Sequence, residues 1–465
     1  MDREEIFKQF RAIGRAALVV DIENTHSGNI AMRVQDDGGT ECLAITATGS
    51  PKGDLTPDKI CYPSLTETNY GYFKSSTETD IHALILQIPG ANASMHGHTK
   101  TATVVTMDDA PHPRVNPRAP FVPADPLGAR YLGEVGVDYF KVASGSREMA
   151  DGIRSRLTAN VATIVQTHGA FARGRTLAEA LFYLCLVEHS GEVIFWGRAA
   201  GADLAGARER LGARRAALER ELPEYSAEDD GRDDFADEPD TVENFLTVGY
   251  RIFESRLSPF HTGSMSVRGA TSMLYLPKAS LPHELEGPML ELPLKSEKRG
   301  NERKDERGNE RGDARGDERV RARAPLCDVD DSYELAVHRA IYAETPLKTV
   351  VHCYPSEVEV EAMLARPEAG QRIARIIPVD VEGGFLYPAI PVLPAGVGAV
   401  ELGKALLDYH MAIVDGGGIW AAGEQSLFEA VRHVSSAKDI CRYRIMSRMR
   451  GLDLAAMEPK RSRSW

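Results

Sequence analysis

Apolar side chains along the first two hundred residues fall into a regular succession of helical and strand spacings. Residues 3–20 place Ile6, Phe7, Phe10, Ile13, Ala17 and Leu18 on one face of an amphipathic helix. The turn Ser27-Gly28-Asn29 leads into a strand, and a second strand over residues 42–47 ends at Thr48-Gly49. Lys74-Ser75-Ser76-Thr77-Glu78 has the hydroxyl-rich look of a helix start, with Ile81, Leu84, Ile85 and Ile88 on one face behind it. A strand carrying Met95-His96-Gly97-His98-Thr99 follows, and the pattern continues it through residues 103–107. Six prolines make residues 111–126 a loop. Ser146 caps a helix over residues 147–158, residues 161–168 form a strand ending at His168, and Thr176 caps a helix through about residue 190.

The same order then returns. His26-Ser27-Gly28-Asn29 recurs as His261-Thr262-Gly263-Ser264, and Glu78 with His82 recurs as Glu334 with His338. Each of those histidines is followed fourteen residues later by another, His96 and His352. Gly169, Gly174 and Leu177 to Ala180 are matched by Gly418, Gly423 and Leu427 to Ala430. Matched spacing on this scale predicts two copies of one domain, residues 1–200 and 241–455. Residues 201–240 read as a helix running into an acidic linker, a boundary and not a site. Residues 297–324 repeat Arg-Gly-Asn-Glu and Arg-Gly-Asp-Glu with almost nothing apolar, so they predict a disordered charged insertion in the second copy.

Composition narrows the class. A chain of 465 residues, 43% hydrophobic and 26% charged, has the make-up of a soluble globular protein with more than one domain. No apolar run is long enough for a membrane span and residues 1–10 lack the apolar core of a signal peptide, which points to the cytoplasm. The cysteines show no C-x-x-C pair, so neither a disulfide framework nor a thiolate metal site is indicated. A net charge of −13 argues against nucleic acid as the main partner.

Candidate chemistry sits in the first copy. His96 and His98, one residue apart on a strand, face the same way, and His168 at the end of another strand supplies a third imidazole. Three neutral imidazoles leave a tetrahedral zinc ion one open position, the layout of a catalytic site. An isolated His-x-His pair also occurs on ordinary surfaces. In the second copy Tyr354 and Gly417 stand where His98 and His168 would be, so no metal is expected there.

Taken in order, Ser27-Gly28-Asn29, Ile45 to Gly49, Ser76-Thr77-Glu78 with His82, His96-x-His98, Gly145-Ser146-Arg147-Glu148 and His168-Gly169 resemble the motif set of the class II aldolase and adducin family, to which fuculose-phosphate aldolase belongs. The match covers residues 1 to about 200 closely and 241 to about 450 in degenerate form. The resemblance implies a tandem pair of three-layer α/β/α domains, each around a mixed, mostly antiparallel sheet. It implies one zinc ion per chain, on His96, His98 and His168 of the first domain, with Glu78 as acid/base. It implies a phosphate site at Asn29, Thr48, Gly49, Ser76 and Thr77, with threonine at 77 where serine is usual. A protonating tyrosine, Tyr131 or Tyr139, is implied as well. The activity would be that of a lyase making or breaking a carbon-carbon bond in a small phosphorylated hydroxyketone through a zinc-stabilised enediolate. Because the family forms fourfold assemblies, a two-domain chain would act as a homodimer, a pseudo-tetramer of domains. Read singly, the phosphate residues are also turn and capping residues, and Glu78 is also a helix-start carboxylate. Same-fold epimerases, dehydratases and decarboxylases are alternatives, although the epimerase pattern carries aspartate at the position of Glu78. A non-catalytic, adducin-like interaction module is the alternative of another class.

Overall fold

The computed structural model describes residues 2–24, 26–35, 39–65, 75–108, 116, 118–142, 145–221, 234–235, 239–261, 263–276, 290–294, 329–367 and 373–461. The charged insertion expected at about 297–324, most of the acidic part of 201–240 and Lys74 lie outside them. In chain order the first half contains α1 (Arg3–Val19), β1 (Asn29–Gln35), β2 (Glu41–Thr46), β3 (Ile60–Cys61), α2 (Thr79–Leu86), β4 (Ala93–Gly97), α3 (Lys100–Thr106), α4 (Pro126–Tyr131), β5 (Gly136–Asp138), α5 (Arg147–Ala159), β6 (Ala162–Val165), β7 (Gly169–Gly174) and α6 (Leu177–Ala200). After α7 (Leu204–Glu221) come α8 (Pro239–Glu254), β8 (Met265–Arg268), β9 (Ser272–Leu276), β10 (Leu290–Pro293), α9 (Val329–Glu344), β11 (Thr349–Cys353), α10 (Ser356–Leu364), β12 (Ala374–Ile376), α11 (Val381–Leu386), β13 (Ile390–Leu393), α12 (Ala399–Tyr409), β14 (Met411–Val414), β15 (Ile419–Gly423), α13 (Leu427–Met449) and α14 (Leu454–Arg461).

Each half is built on one sheet. The first has the order β3-β2-β1-β4-β7-β6-β5 and the second β10-β9-β8-β11-β15-β14-β13-β12. Strand for strand the two orders coincide, with β12 added at one edge, so the repeat read in the sequence is a repeat of topology. Among the described residues all strand pairs are antiparallel except β5 with β6 and β13 with β14. Side-chain alternation makes each sheet the middle of three layers. Met95, Ile164 and Ala172 face the core beneath α1 and α6, whereas Val165 and Phe171 pack with Ile81 and Ile85 of α2 and with Met149 and Ile153 of α5. In the second half Val351 and Ile413 face α13, and Val350 and Trp420 face α9 and α12.

Local signals hold where side chains cap backbone. The hydroxyl of Ser146 accepts from Met149 N at 3.2 Å and that of Thr176 from Glu179 N at 3.1 Å, as their N-cap roles require. Two expectations are corrected. Residues 103–107, read as the continuation of a strand, belong instead to α3 and its C-terminal end. The run Thr101 to Thr106 is rich in β-branched residues and by propensity favours a strand, but packing overrides it. Gly191 of α6 brings α3 so close that a Cβ there would lie 2.4 Å from Ala102 N. The helix that begins at residue 177 runs to Ala200, not to about 190, because Ser190 bonds to the α4 cap Asp125 and Gly191 is a packing site for α3, so the pair is not a break.

The two halves share a seam. α6 is apolar on nearly its whole circumference because it is covered on one side by the first sheet and on the other by α10 and α13. Phe253, Phe260, Val360, Met363 and Ile445 of the second half join the core of the first. α7 bridges the halves: Arg208 donates to the carbonyls of Pro123 and Val122 at 3.1 and 2.6 Å, and Arg210 lies 3.0 Å from Asp415. Among the described residues no helix is long and apolar enough to cross a membrane.

Candidate active site

The hydrogen-bond register of the first sheet brings together residues far apart in sequence. β1 pairs with β4 so that Asn29 lies opposite His96, and β4 pairs with β7 so that His96 lies opposite Phe171. His96 therefore points to the α2 face, where its ring stacks on Phe171 at 4.2 Å and 15°. His98 follows β4, with its N–H bonded to Ile22 O at 2.9 Å. His168 stands in the tight connection from β6 to β7, directly after Thr167, whose φ of +66° is a left-handed conformation that a β-branched residue rarely adopts. The three rings converge, with centroids 4.5 Å apart for His96 and His168, 5.1 Å for His96 and His98, and 5.7 Å for His98 and His168. One nitrogen from each lies within 4.8 Å of the others.

These residues fit a metal ion on chemical grounds. A ligating imidazole needs one bare nitrogen and a partner for the other. His96 Nδ1 lies 2.9 Å from Ala170 O, a bond that puts the proton on Nδ1 and leaves Nε2 bare. That Nε2 is buried and makes no hydrogen bond among the described residues. Burial, reinforced by the neighbouring His168 and His98, holds His96 well below the usual imidazole range, and burial carries His168 down to about 4. His98 is lowered as well, by burial and then by Lys100. Neutral rings are what metal coordination requires.

Glu78 closes the site. It is the N-cap residue of α2, 4% exposed, with Oε1 3.5 Å from His168 Nε2 and Oε2 3.9 Å from His96 Nε2. Burial raises its carboxyl to about 7, against the opposing effect of Asn29, whose Nδ2 donates to Oε2 at 2.6 Å. Thr48 and Gly49 are exposed, and Ala47 bridges to Ser75, which sets them beside the start of α2. Ser76 is buried and its hydroxyl accepts from Glu78 N at 3.1 Å, whereas Thr77 is exposed. A side chain added at Gly49 would meet nothing within 4 Å, so that loop opens outward. Tyr131 is on α4, where its ring packs edge-on against Phe182 at 5.2 Å with Arg130 over its face. Tyr139 bonds through its backbone to Asn116.

Three contributors escaped the sequence. Phe171 is a platform for His96, legible only once the β4–β7 register is known. Asn29 orients Glu78 in addition to the phosphate role expected of it. Glu23 is buried with Lys52 under the Ser27-Gly28-Asn29 turn, and a Cβ at Gly28, where φ is +77°, would stand 2.5 Å from its carboxyl carbon. Only glycine fits there.

The family model described as the class II aldolase and adducin N-terminal domain matches residues 4–195 and again 313–445. The chain belongs to the class II aldolase and adducin family. Both matched segments fall on the two copies of the fold, so the chain carries this aldolase-family domain twice, the second time without two of the three histidines. Solved structures similar to it include L-fuculose-1-phosphate aldolase from Thermus thermophilus, at 25% identity and a TM-score of 0.37, covering 42% of this chain and 95% of that one. A sugar-phosphate aldolase from Thermotoga maritima is 19% identical with a TM-score of 0.33, covering 41% and 94%. An aldolase II superfamily protein from Pseudomonas syringae is 15% identical with a TM-score of 0.36, covering 45% and 84%.

Proposed function

We propose that the first domain is a zinc-dependent lyase that makes or breaks a carbon-carbon bond in a small phosphorylated hydroxyketone. The observation that carries this reading is the convergence of three imidazoles beside a buried carboxyl, 3.5 Å from His168 Nε2 and 3.9 Å from His96 Nε2. A zinc ion held by His96, His98 and His168 supplies Lewis acidity to the substrate's carbonyl and hydroxyl oxygens when bound. Because the imidazoles are uncharged, they leave the ion's charge intact. Glu78 takes a proton from the carbon beside the carbonyl and returns it, a task suited to a carboxylate shielded from water beside the three histidines. Asn29 holds Glu78 Oε2, which leaves Oε1 to face the reacting carbon. The phosphate is received by Asn29, Thr48, Gly49, Ser76 and Thr77, where hydroxyls and backbone N–H groups gather at a turn and just before the start of α2. Tyr131 packs against Phe182 of α6, on the sheet face opposite His96, so in this reading it donates its proton in the site of a neighbouring chain.

The working unit in this reading is a pair of chains. α10 of the second domain covers α6 of the first, whereas the matching face of the second domain keeps Phe385, Tyr443 and Met446 exposed. A second chain offering its first domain to that face closes a ring of four domains.

The test is proton exchange. Zinc-loaded protein incubated with dihydroxyacetone phosphate in deuterated water is expected to exchange one hydroxymethyl proton, followed by NMR, and Glu78→Gln is expected to stop the exchange. Metal-loaded wild type that exchanges no proton overturns the reading.

A further inference from the structure

A second group of potential ligands is buried in the seam, away from the three histidines. Asp125 caps α4, His189 is on α6 and Glu359 is on α10, so the first domain provides two of them and the second domain the third. They are 0%, 6% and 5% exposed. His189 Nε2 lies 3.1 Å from Glu359 Oε2 and 3.9 Å from Asp125 Oδ1, and one donor atom from each residue lies within 4.8 Å of the others. Nitrogen and oxygen ligands about 2.0–2.2 Å from a tetrahedral zinc ion stand roughly 3.4 Å apart, which these two separations bracket.

A further observation favours a cation over a simple ion pair. The carboxylate of Asp125 is fixed by Gly128 N at 2.6 Å on Oδ1 and by the hydroxyl of Ser190 at 2.5 Å on Oδ2, but Glu359 Oε1 is buried and accepts no hydrogen bond among the described residues. Glu359 also lines a small cavity of about 10 Å³ between α7, α10 and the second-domain hairpin.

We propose that Asp125, His189 and Glu359 bind a second divalent cation of the zinc class, which staples the second domain to the first. Three protein ligands leave the fourth tetrahedral position to a water molecule. The site belongs to the seam alone. In the second domain Asp380 repeats the cap, accepting from Gly383 N at 2.7 Å, but the register set by Leu177 and Leu427 puts Asp439 and Ile440 where His189 and Ser190 stand. Its effect reaches the catalytic strand through α6. Glu188, next to His189, accepts from the N–H groups of Thr101 and Ala102 at 3.0 and 3.2 Å, in the first turn of α3 that follows His98.

The experiment separates this site from the first. Full-length chain carrying His96→Ala and His98→Ala is mixed with excess zinc, gel-filtered and analysed for metal. Retention of about one zinc per chain is expected, falling to near zero when Glu359→Gln is added. A folded double variant that retains no zinc overturns the proposal and leaves the catalytic reading untouched. Should the variants fail to fold, anomalous diffraction at the zinc edge from wild-type crystals grown with zinc decides. A peak among His189 Nε2, Asp125 and Glu359 supports the site, and a peak at the three-histidine cluster alone overturns it.

Discussion

The two domains differ least where the sheet sets geometry and most where a turn does. In both, a histidine on the fourth strand of its sheet stacks on an aromatic ring of the neighbouring strand: His96 on Phe171 at 4.2 Å, His352 on Trp420 at 4.0 Å. In both, a glutamate at the matching helix reaches that histidine, Glu78 at 3.9 Å and Glu334 at 3.3 Å. The divergence is at the other two ligand positions. After the fourth strand Tyr354 stands in place of His98, and in the hairpin the first domain has Thr167 and His168 where the second has Gly416 and Gly417. Each strand histidine is bonded to a carbonyl, but by opposite nitrogens: His96 Nδ1 meets Ala170 O at 2.9 Å, and His352 Nε2 meets Gly417 O at 2.8 Å, which turns His352 Nδ1 toward Glu334. The same frame thus carries a converging ligand set in one domain and a lone histidine in the other.

Glutamate exchange is the strongest probe of this contrast. Glu78→Gln is expected to lower turnover by about 10²–10⁴-fold while the metal stays bound, and Glu334→Gln to leave turnover close to wild type. Equal losses in steady-state assays would remove the functional distinction between the domains. Ligand removal comes next. His168→Ala should lower zinc affinity at the first site by an order of magnitude or more, read by competition with a chromogenic chelator, whereas His352→Ala should leave that affinity unchanged. A drop in both variants would mean that the second domain contributes to metal binding at the first site.

The pH dependence of stability is a smaller effect. In metal-free protein burial raises Glu78 from 4.5 to about 7. Its neutral form is the one the fold favours, so its contribution is fully present below pH about 4.5 and is lost as pH rises through about 7. Urea unfolding of the metal-free chain should show stability falling over that window by on the order of 3 kcal/mol at most, relative to Glu78→Gln, which cannot ionise. Glu23, raised to about 8 by burial against Lys52, titrates in both proteins and cancels in the difference. A flat difference curve would show that Glu78 is solvated.

The hairpin itself gives the smallest effect. Thr167 at φ +66° carries strain that Gly416 at φ +64° does not. Thr167→Gly is expected to stabilise the fold by about 1 kcal/mol, partly offset by the greater freedom of glycine in the unfolded chain. Gly416→Thr should destabilise by more than that, since its Cβ would also stand 2.7 Å from Leu211. Thermal melts of the two variants check the sign, and a destabilised Thr167→Gly would mean that the threonine side chain is needed to hold the turn.

Much of this was legible in the chain itself. Spacing and caps located most helices, and the recurrence of Glu78, His82 and His96 as Glu334, His338 and His352 announced the duplicated topology, because strand period and capping chemistry are local. The three histidines could be singled out for the same reason: a residue type in a motif is visible without coordinates. The Thr101 to Thr106 segment was not, since its β-branched run says strand and only the close approach of Gly191 makes it helix. Nor could the chain alone pair Asn29 with Glu78, seat His96 on Phe171, or bring His189 across 170 residues, and Asp125 from farther still, to Glu359. Those depend on sheet register and on how one domain packs against the other. Both are settled by burial of the whole core at once, a free energy that no short window of sequence contains.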